Sequence, residues 1–344
     1  MDIEFNALIT NGTWDLVSPT QDTNIVGSKW VFCIKCNADD SLERFKARLV
    51  AKGYHQQPGL DFTETLSPVV KANTIHLVLS LAITRQWTIR QIDIQNAFLH
   101  GQLQEEVYMQ QPQGYVHPDF PHHVCRLKKS LYGLKQTPRA WFSRLIETLQ
   151  QLGFVGSKAD TSLFTLHQPA FSIFILIYVD DIIITGSFST KINTFIQQLG
   201  DEFLVKDLGI LSFFLGVEAL FKGPDLFLTQ RKYVANLLQK VNMYEAKTCT
   251  TPMSTTCHLS KIEGADFSYP QLYRSTVGAL HYLGFTRPDI AFAVHRVSKF
   301  MHQLKDPHWQ AIKRILRYLK NTMDYGLHFI SLSDHSLHAY SDAD

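Results

Sequence analysis

Long apolar runs, a regular cysteine framework and a strong excess of charge are all missing from this 344-residue sequence. No apolar stretch reaches the roughly 18 residues that a membrane-spanning helix needs, and the N-terminus lacks a secretory signal pattern. We therefore expect an intracellular protein, cytoplasmic or nuclear, with no membrane partner. The net charge of +2 is too small to indicate a class of partner by itself.

Cysteine is scarce and irregularly spaced, which is typical of a reducing compartment. Cys33 and Cys36 have the separation of a zinc or redox pair, but no second Cys/His pair follows at ligand spacing. In the strand predicted for this stretch the two side chains point to opposite faces. A zinc or redox role is therefore not favoured.

Acidic residues are absent from one stretch and scarce in another, and this tells more than the net charge. Residues 126–144 contain six Lys/Arg and no Asp/Glu, and residues 270–330 contain nine Lys/Arg and three Asp/Glu. Local basic surface of this kind is the electrostatic footprint of nucleic-acid binding. For any single run, a solvated helix face is the alternative interpretation.

The most informative stretch runs from Ile173 to Gly186, where two apolar, β-branched segments flank Asp180 and Asp181. Such segments predict two buried strands joined by a tight hairpin. Carboxylates next to strands this apolar are costly unless a cation satisfies them, and their hard oxygens suit Mg²⁺. An ordinary Asp-rich turn remains the alternative interpretation.

A third carboxylate, Asp93, lies in the predicted strand Thr88–Leu99. If that strand neighbours the hairpin, Asp93, Asp180 and Asp181 converge, as in the two-metal sites that catalyse in-line phosphoryl transfer. A hydrogen-bonded edge carboxylate is the alternative for Asp93 alone. A Mg²⁺-dependent phosphotransferase of another kind is a weaker reading of the same cluster.

The remaining pattern predicts a mixed fold. The first 27 residues are polar and irregular. Residues 29–35 and 43–51 predict a basic hairpin, which could fold over a triphosphate or a template, or simply be solvated. Helices are predicted at 74–87, 140–152, 190–203, 230–242, 273–283, 288–304 and 307–320, a further hairpin at 213–221 and 226–228, and strands at 325–330 and 336–340.

Several ordered motifs together resemble the reverse transcriptase of copia-type LTR retrotransposons. They are Lys46–Tyr54, Gln91–Leu99, Ser130–Trp141, Tyr178–Asp181 and Phe214–Val217. The resemblance implies an α+β right-hand polymerase: fingers, a palm with an antiparallel sheet and flanking helices, and a helical thumb. The implied domains are a lead segment (1–27), fingers and palm (28–229), thumb or connection (230–325) and the start of a ribonuclease H domain (326–344).

The resemblance also implies roles for residues at matching positions. Asp93, Asp180 and Asp181, with the backbone carbonyl of Ile94, match the ligands of two Mg²⁺ ions, for which Mn²⁺ can substitute. Phe98 matches the aromatic gate that excludes the ribose 2′-hydroxyl, and Lys206 the acid that protonates pyrophosphate. The matched dNTP-binding residues are Lys46, Arg48, Asn96, Ala97, Phe98, Tyr132 and Gly133, and the matched primer grip is Phe214, Leu215 and Gly216.

The implied activity is RNA-directed DNA synthesis from dNTPs on an RNA or DNA template with a primer, within a virus-like particle or the nucleus. Asp342 matches the first carboxylate of a ribonuclease H site whose other acids are absent, so no ribonuclease H activity is expected. The alternative function is a truncated, inactive remnant that still binds nucleic acid. The oligomeric state is left open.

Overall fold

A computed structural model describes residues 1–20, 23–36, 41–254 and 258–331. The chain divides into two compact units. The first contains Met1–Ile75 and Thr88–Gly209, and the second contains His76–Trp87 and the described residues from Ile210 onward. The boundary at residues 75/76 falls inside a helix, and the boundary at 209/210 falls inside a strand.

The first unit is rich in strands. Its helices are α1 (Asp2–Thr10), α3 (Thr137–Gln151) and α4 (Ser189–Glu202), and α2 (Ala72–Thr84) begins in it. Its strands are β1 (Trp14–Val17), β2 (Ile25–Val26), β3 (Ser28–Cys36), β4 (Leu42–Ala51), β5 (Ile89–Ile94), β6 (Gln102–Met109), β7 (Val124–Lys129), β8 (Val155–Gly156), β9 (Leu163–Gln168), β10 (Phe171–Tyr178), β11 (Asp181–Gly186) and β12 (Val205–Ile210).

The second unit is mainly helical. Its helices are α5 (Arg231–Lys240), α6 (Pro270–Leu283), α7 (Ala291–Ser298) and α8 (Asp306–Asn321). Its strands are β13 (Phe213–Phe214), β14 (Val217–Lys222), β15 (Asp225–Thr229) and β16 (Gly326–Phe329), which form one sheet in that order. Leu238, Tyr273, Val294 and Ile315 come from four helices and are all buried in one core.

The central sheet of the first unit has the order β12-β5-β11-β10-β9-β8. Its β10–β11 hairpin is antiparallel and pairs Tyr178 with Asp181, and β11 is also antiparallel to β5. Two smaller sheets, β1-β7-β6-β2 and β3-β4, complete the unit. The predicted α+β class, with an antiparallel sheet and flanking helices, is confirmed.

One face of the central sheet packs on α3 and α4. Ile92, Ile182 and Ile184 share a buried core with Leu145 and Phe195, one from each helix. Burying an aliphatic or aromatic side chain of this size stabilises the fold by about 1.5–3 kcal/mol. The helices thus clamp the strands that carry the predicted acidic site.

Three local predictions need correction. Residues 1–27 are not irregular throughout, because α1 and β1 bury Leu8 and Trp14. The helix predicted at 288–304 is shorter: Pro288–Ile290 form a 3₁₀ turn, and α7 ends at Ser298. Strands β7, β9 and β12 were not predicted, since β7 and β12 carry charges and β9 is short and mixed in polarity.

The predicted strand at 336–340 and Asp342 lie outside the described residues. Within the described part of the chain, no helix combines the length and apolar character needed to cross a membrane.

Candidate active site

Strand pairing brings the predicted carboxylates together. Asp181, the first residue of β11, is the direct partner of Asp93 in β5. Residues opposite each other in an antiparallel pair share a face, with Cβ atoms roughly 4.5–5.5 Å apart. The backbone N–H of Ile94 also donates to the carbonyl oxygen of Asp180 at 3.0 Å. The convergence predicted from the sequence is therefore present in this sheet.

The hairpin turn that carries Asp180 is held in an uncommon conformation. Val179 has a φ of 58°, in the left-handed region that β-branched residues rarely adopt. The indole N–H of Trp141, on α3, donates to the carbonyl oxygen of Val179 at 2.8 Å. Because Trp141 is itself buried in the core, this hydrogen bond holds the turn against the core. Sequence analysis missed this role, because tryptophan on an apolar helix face indicates only packing.

The electrostatics of the site favour a cation. Burial raises the pKa of Asp181 to about 6, helped by the charges of Asp180 and Asp93 and opposed by a hydrogen bond from Gln91. Burial and then Asp180 also raise the pKa of Asp93. Like charges at short range disfavour the ionised carboxylates. A bound cation would relieve that repulsion.

The residues present fit Mg²⁺, although they do not form a closed cage. Among the described residues, no group of three or more His, Cys, Asp and Glu side chains is arranged to hold a metal ion. Asp180 is exposed on the turn, whereas Asp93 and Asp181 are partly buried. Magnesium normally uses one or two protein carboxylates and fills its other positions with water and substrate phosphates. An open pair of carboxylates beside a third is compatible with that chemistry.

Cationic side chains accompany the acids. Lys46 and Arg48 are two positions apart in β4, so their side chains lie on the same face of the β3–β4 hairpin. Together with Lys206 of β12, they lower the pKa of Asp93 through their charge, against the larger effect of burial. These three predicted residues thus lie within electrostatic range of Asp93.

Two predicted aromatic residues are also in contact. The rings of Phe98 and Tyr132 meet edge to face, with centroids 5.3 Å apart. The guanidinium carbon of Arg48 lies 4.7 Å from the centroid of Tyr132. The Ser130 hydroxyl donates to the carbonyl oxygen of Phe98, which fixes the backbone behind the ring. The predicted gate is thus connected by side-chain contacts to the basic hairpin.

Asn96 begins the short 3₁₀ turn Ala97–His100 with a φ of 53°. The hydrogen bonds found among the described residues include none donated by the backbone N–H of Asn96 or Ala97. Successive N–H groups in a left-handed bend form a concavity that suits anions. This geometry agrees with the predicted role of both residues toward a triphosphate.

Gly133 occupies a position where only glycine fits without strain. Its φ is +91°, and an added Cβ would overlap the carbonyl oxygen of Ala51 and lie 2.7 Å from Val50 Cγ1. The backbone N–H of Ala51 donates to the carbonyl oxygen of Tyr132 at 2.7 Å. The close approach therefore attaches the Tyr132–Gly133 segment to the end of β4.

Glu4 of α1 is a residue of this site that sequence analysis missed. Its pKa is raised by burial, while the charges of Lys46 and Arg48 and a hydrogen bond from the backbone of Leu49 lower it. Its Oε1 atom is enclosed without a hydrogen-bond partner among the described residues. An acid in the first turn of a short N-terminal helix gives no signal for this placement, which depends on α1 packing against β4.

The predicted primer-grip residues belong to the second unit, where they form a tight turn. Phe214 is buried and pairs with Val217, and Leu215 and Gly216 between them have φ values of 49° and 68°. Positive φ at both central positions is the pattern of a two-residue type I′ hairpin. The hydroxyl of Tyr282 donates to the carbonyl oxygen of Leu215.

The whole chain is similar to known proteins of one family. The family model described as "Reverse transcriptase (RNA-dependent DNA polymerase)" matches residues 11–255. The chain is 50% identical over 345 residues to the retrovirus-related Pol polyprotein from transposon RE1 of Arabidopsis thaliana, covering 100% of this chain and 24% of that protein. It is 39% identical over 354 residues to that from transposon TNT 1-94 of Nicotiana tabacum, covering 100% of this chain and 27% of that protein.

The chain thus spans about a quarter of the length of these curated relatives. Among solved structures, a foamy viral protease-reverse transcriptase in complex with an RNA/DNA hybrid aligns with a TM-score of 0.43 at 10% identity. That alignment covers 94% of this chain and 36% of the viral chain.

Proposed function

This chain belongs to the reverse transcriptase family of retrotransposon Pol polyproteins, and we propose that it is the segment that extends a primer on an RNA or DNA template. The observation that carries the proposal is the pairing of Asp93 with Asp181, next to Asp180, on one sheet. Acids from distant parts of the chain meet there beside cationic side chains. This is the charge pattern that a metal-dependent phosphoryl transfer requires.

We assign the metal-binding role to Asp93, Asp180 and Asp181, with the backbone carbonyl of Ile94. Bound there, two Mg²⁺ ions would supply activation of the primer 3′-hydroxyl and neutralisation of the pyrophosphate charge. The pKa values of Asp93 and Asp181, both raised by burial and by neighbouring carboxylates, support that assignment. The acidic side chains would hold these ions at one point of the sheet.

Nucleotide binding is assigned to the basic hairpin and the bend after β5. Lys46 and Arg48 would pair with the triphosphate, and the backbone N–H groups of Asn96 and Ala97 would donate to its oxygens. Tyr132 supports Arg48 by its ring contact. Lys206, beside Asp93, would donate a proton to the departing pyrophosphate.

A primer-extension assay on an RNA template with Mg²⁺ and dNTPs tests the function. We expect extension by the wild-type chain and a loss of at least about 10³-fold for Asp180→Asn, because a metal ligand supplies several kcal/mol of transition-state stabilisation. The control is Asp201→Asn, which removes one charge from an exposed position on α4. Equal extension by wild type and Asp180→Asn would reject the assignment, and binding without any incorporation would identify an inactive remnant.

The gate is tested by Phe98→Val. Since the ring lies against Tyr132, its removal should make room for a ribose 2′-hydroxyl and raise ribonucleotide incorporation. We expect the preference for dNTP over rNTP to fall by about 10- to 200-fold, the usual range for a steric difference of this size. Phe98→Tyr keeps the ring and should retain the preference. Unchanged discrimination in Phe98→Val would remove Phe98 from this role.

A further inference from the structure

Helix α8 of the second unit carries a groove that none of the proposed polymerase residues line. Two adjoining cavities of about 340 Å³ and 650 Å³ share Gln310 and Arg314 of this helix. The smaller cavity is basic, and the larger one is mainly apolar. Together they form one groove with two chemically different ends, which we call the α8 groove.

The basic end of the groove is lined by cationic side chains and by no acidic side chain. Lys247, Lys313, Arg314 and Arg317 line it, and no carboxylate does. None of the ion pairs found among the described residues involves these four side chains. Arg314 Nε is enclosed and has no hydrogen-bond partner among the residues that the structure describes. Several cations held at short range without acids favour an anionic ligand.

The arginines at this end are held in place by oxygen atoms of the segment that forms the opposite wall. Arg317 Nε donates to the carbonyl oxygen of Lys247 at 2.6 Å, and Arg314 Nη2 donates to the hydroxyl of Thr251 at 2.7 Å. Each contact uses one of the five donors of a guanidinium, so further donors remain for a ligand. Attaching the opposite wall to α8 therefore does not explain why four cationic side chains gather here. It does not explain the ammonium groups of Lys247 and Lys313 at all, because only the two arginines make these contacts.

The other end of the groove is apolar. Pro252, Met253, Leu259 and Pro307 line it, with Asp306 also on its wall. A flat nucleobase could pack against such side chains, and a carboxylate there would accept from an exocyclic amino group. The same carboxylate would repel a phosphate, so an extended ligand has a preferred direction in the groove.

We propose that the α8 groove binds single-stranded nucleic acid, with phosphates at the basic end and an unpaired base at the apolar end. The choice of nucleic acid over an acidic peptide rests on the proposed function, since a template-copying reaction keeps this chain beside unpaired nucleotides. The site is separate in sequence from the acids, the basic hairpin and the primer grip. It gives the second unit its own contact with a strand.

The experiment measures fluorescence anisotropy of a labelled single-stranded oligonucleotide, in metal-free buffer at several salt concentrations. The test variant is Lys247→Gln with Lys313→Gln, whose ammonium groups take part in none of the ion pairs found among the described residues. The matched control is Lys222→Gln with Lys299→Gln, two exposed lysines of the same unit outside the groove. An abasic oligonucleotide of equal length, and Met253→Ser, examine the apolar end.

We expect the test variant to bind about tenfold more weakly than the control, with a log–log salt slope shallower by about 1.4, because each phosphate contact to a single strand contributes roughly 0.7. Met253→Ser should reduce the wild-type preference for the base-bearing over the abasic strand. Equal affinities of test and control variants would overturn the proposal. Tighter binding of polyglutamate than of the oligonucleotide, lost in the test variant, would also overturn it and indicate an acidic protein partner.

Primer extension keeps the two proposals distinguishable. If primer extension is normal and the test and control variants bind the strand equally, only the proposal for the α8 groove is rejected. If primer extension fails and strand binding still depends on the groove lysines, only the proposed polymerase activity is rejected.

Discussion

Replacing Asp181 by asparagine should abolish primer extension while making the metal-free protein more stable. The activity should fall by at least about 10³-fold, because a lost metal ligand removes several kcal/mol of transition-state stabilisation. Stability should rise because burial, and then repulsion by Asp180 and Asp93, disfavours the charged carboxylate and raises the pKa of Asp181 to about 6, whereas a neutral amide carries no charge to be disfavoured. The same substitution thus separates a functional role from a structural one.

The contribution of Asp181 to folding stability depends on pH with a definite sign. The folded-state pKa of Asp181, about 6, lies above its ordinary value of 3.8. The folded protein therefore holds the proton more tightly than the unfolded chain, and stability falls as pH rises from about 4 to about 6. At pH 8 we expect the free energy of unfolding of Asp181→Asn to be about 1 kcal/mol higher than that of wild type. The effect is this small because solvent screens the charges at a half-exposed site. Near pH 4 the difference should vanish.

Urea denaturation at pH 4 and pH 8, with EDTA and then with Mg²⁺, measures these differences. Mg²⁺ should stabilise the wild type more than the variant, because a ligand that binds only the folded state adds to its stability. Asp201→Asn serves as the charge control and should follow wild type throughout. A lower stability of Asp181→Asn than of wild type at pH 8 in EDTA would contradict the expectation that burial and repulsion disfavour the charged Asp181.

Gly133→Ala should be among the most destabilising single substitutions in the first unit. A left-handed φ costs a non-glycine residue about 1–2 kcal/mol. The added Cβ must also displace Ala51 and Val50, which costs roughly 1–3 kcal/mol and strains the hydrogen bond between Ala51 and Tyr132. We expect the free energy of unfolding to fall by about 2–5 kcal/mol, measured by urea denaturation.

Gly114→Ala is the matched control for this experiment. Gly114 has a similar φ of +86°, but an added Cβ there would meet no atom within 4 Å. It should lose only the backbone contribution of about 1–2 kcal/mol. Equal losses in the two variants would show that the close approach at Gly133 contributes nothing. If Gly133→Ala folds, its KM for dNTP should rise more than its kcat changes, because Tyr132 and Arg48 move with the segment.

Much of the site could be predicted from local sequence. Residues 173–186 predict a hairpin because two β-branched runs flank a polar pair, and the structure has that hairpin. Residues 29–35 and 43–51 predict a basic hairpin, which is also present. Polar residues 1–20 gave no such signal, because α1 is stabilised by burying Leu8 in a core built from later strands.

By itself, the sequence determined the central hairpin, the basic hairpin and most of the helices, because these follow from side-chain periodicity over a few neighbours. Only the tertiary structure decided that Asp93 is the partner of Asp181, that Glu4 faces Lys46 and Arg48, and that Lys247 joins α8 at one groove. Strand register depends on hydrogen bonds and buried faces between segments about 90 residues apart. No local pattern contains that pairing, so it appears only when the core packs.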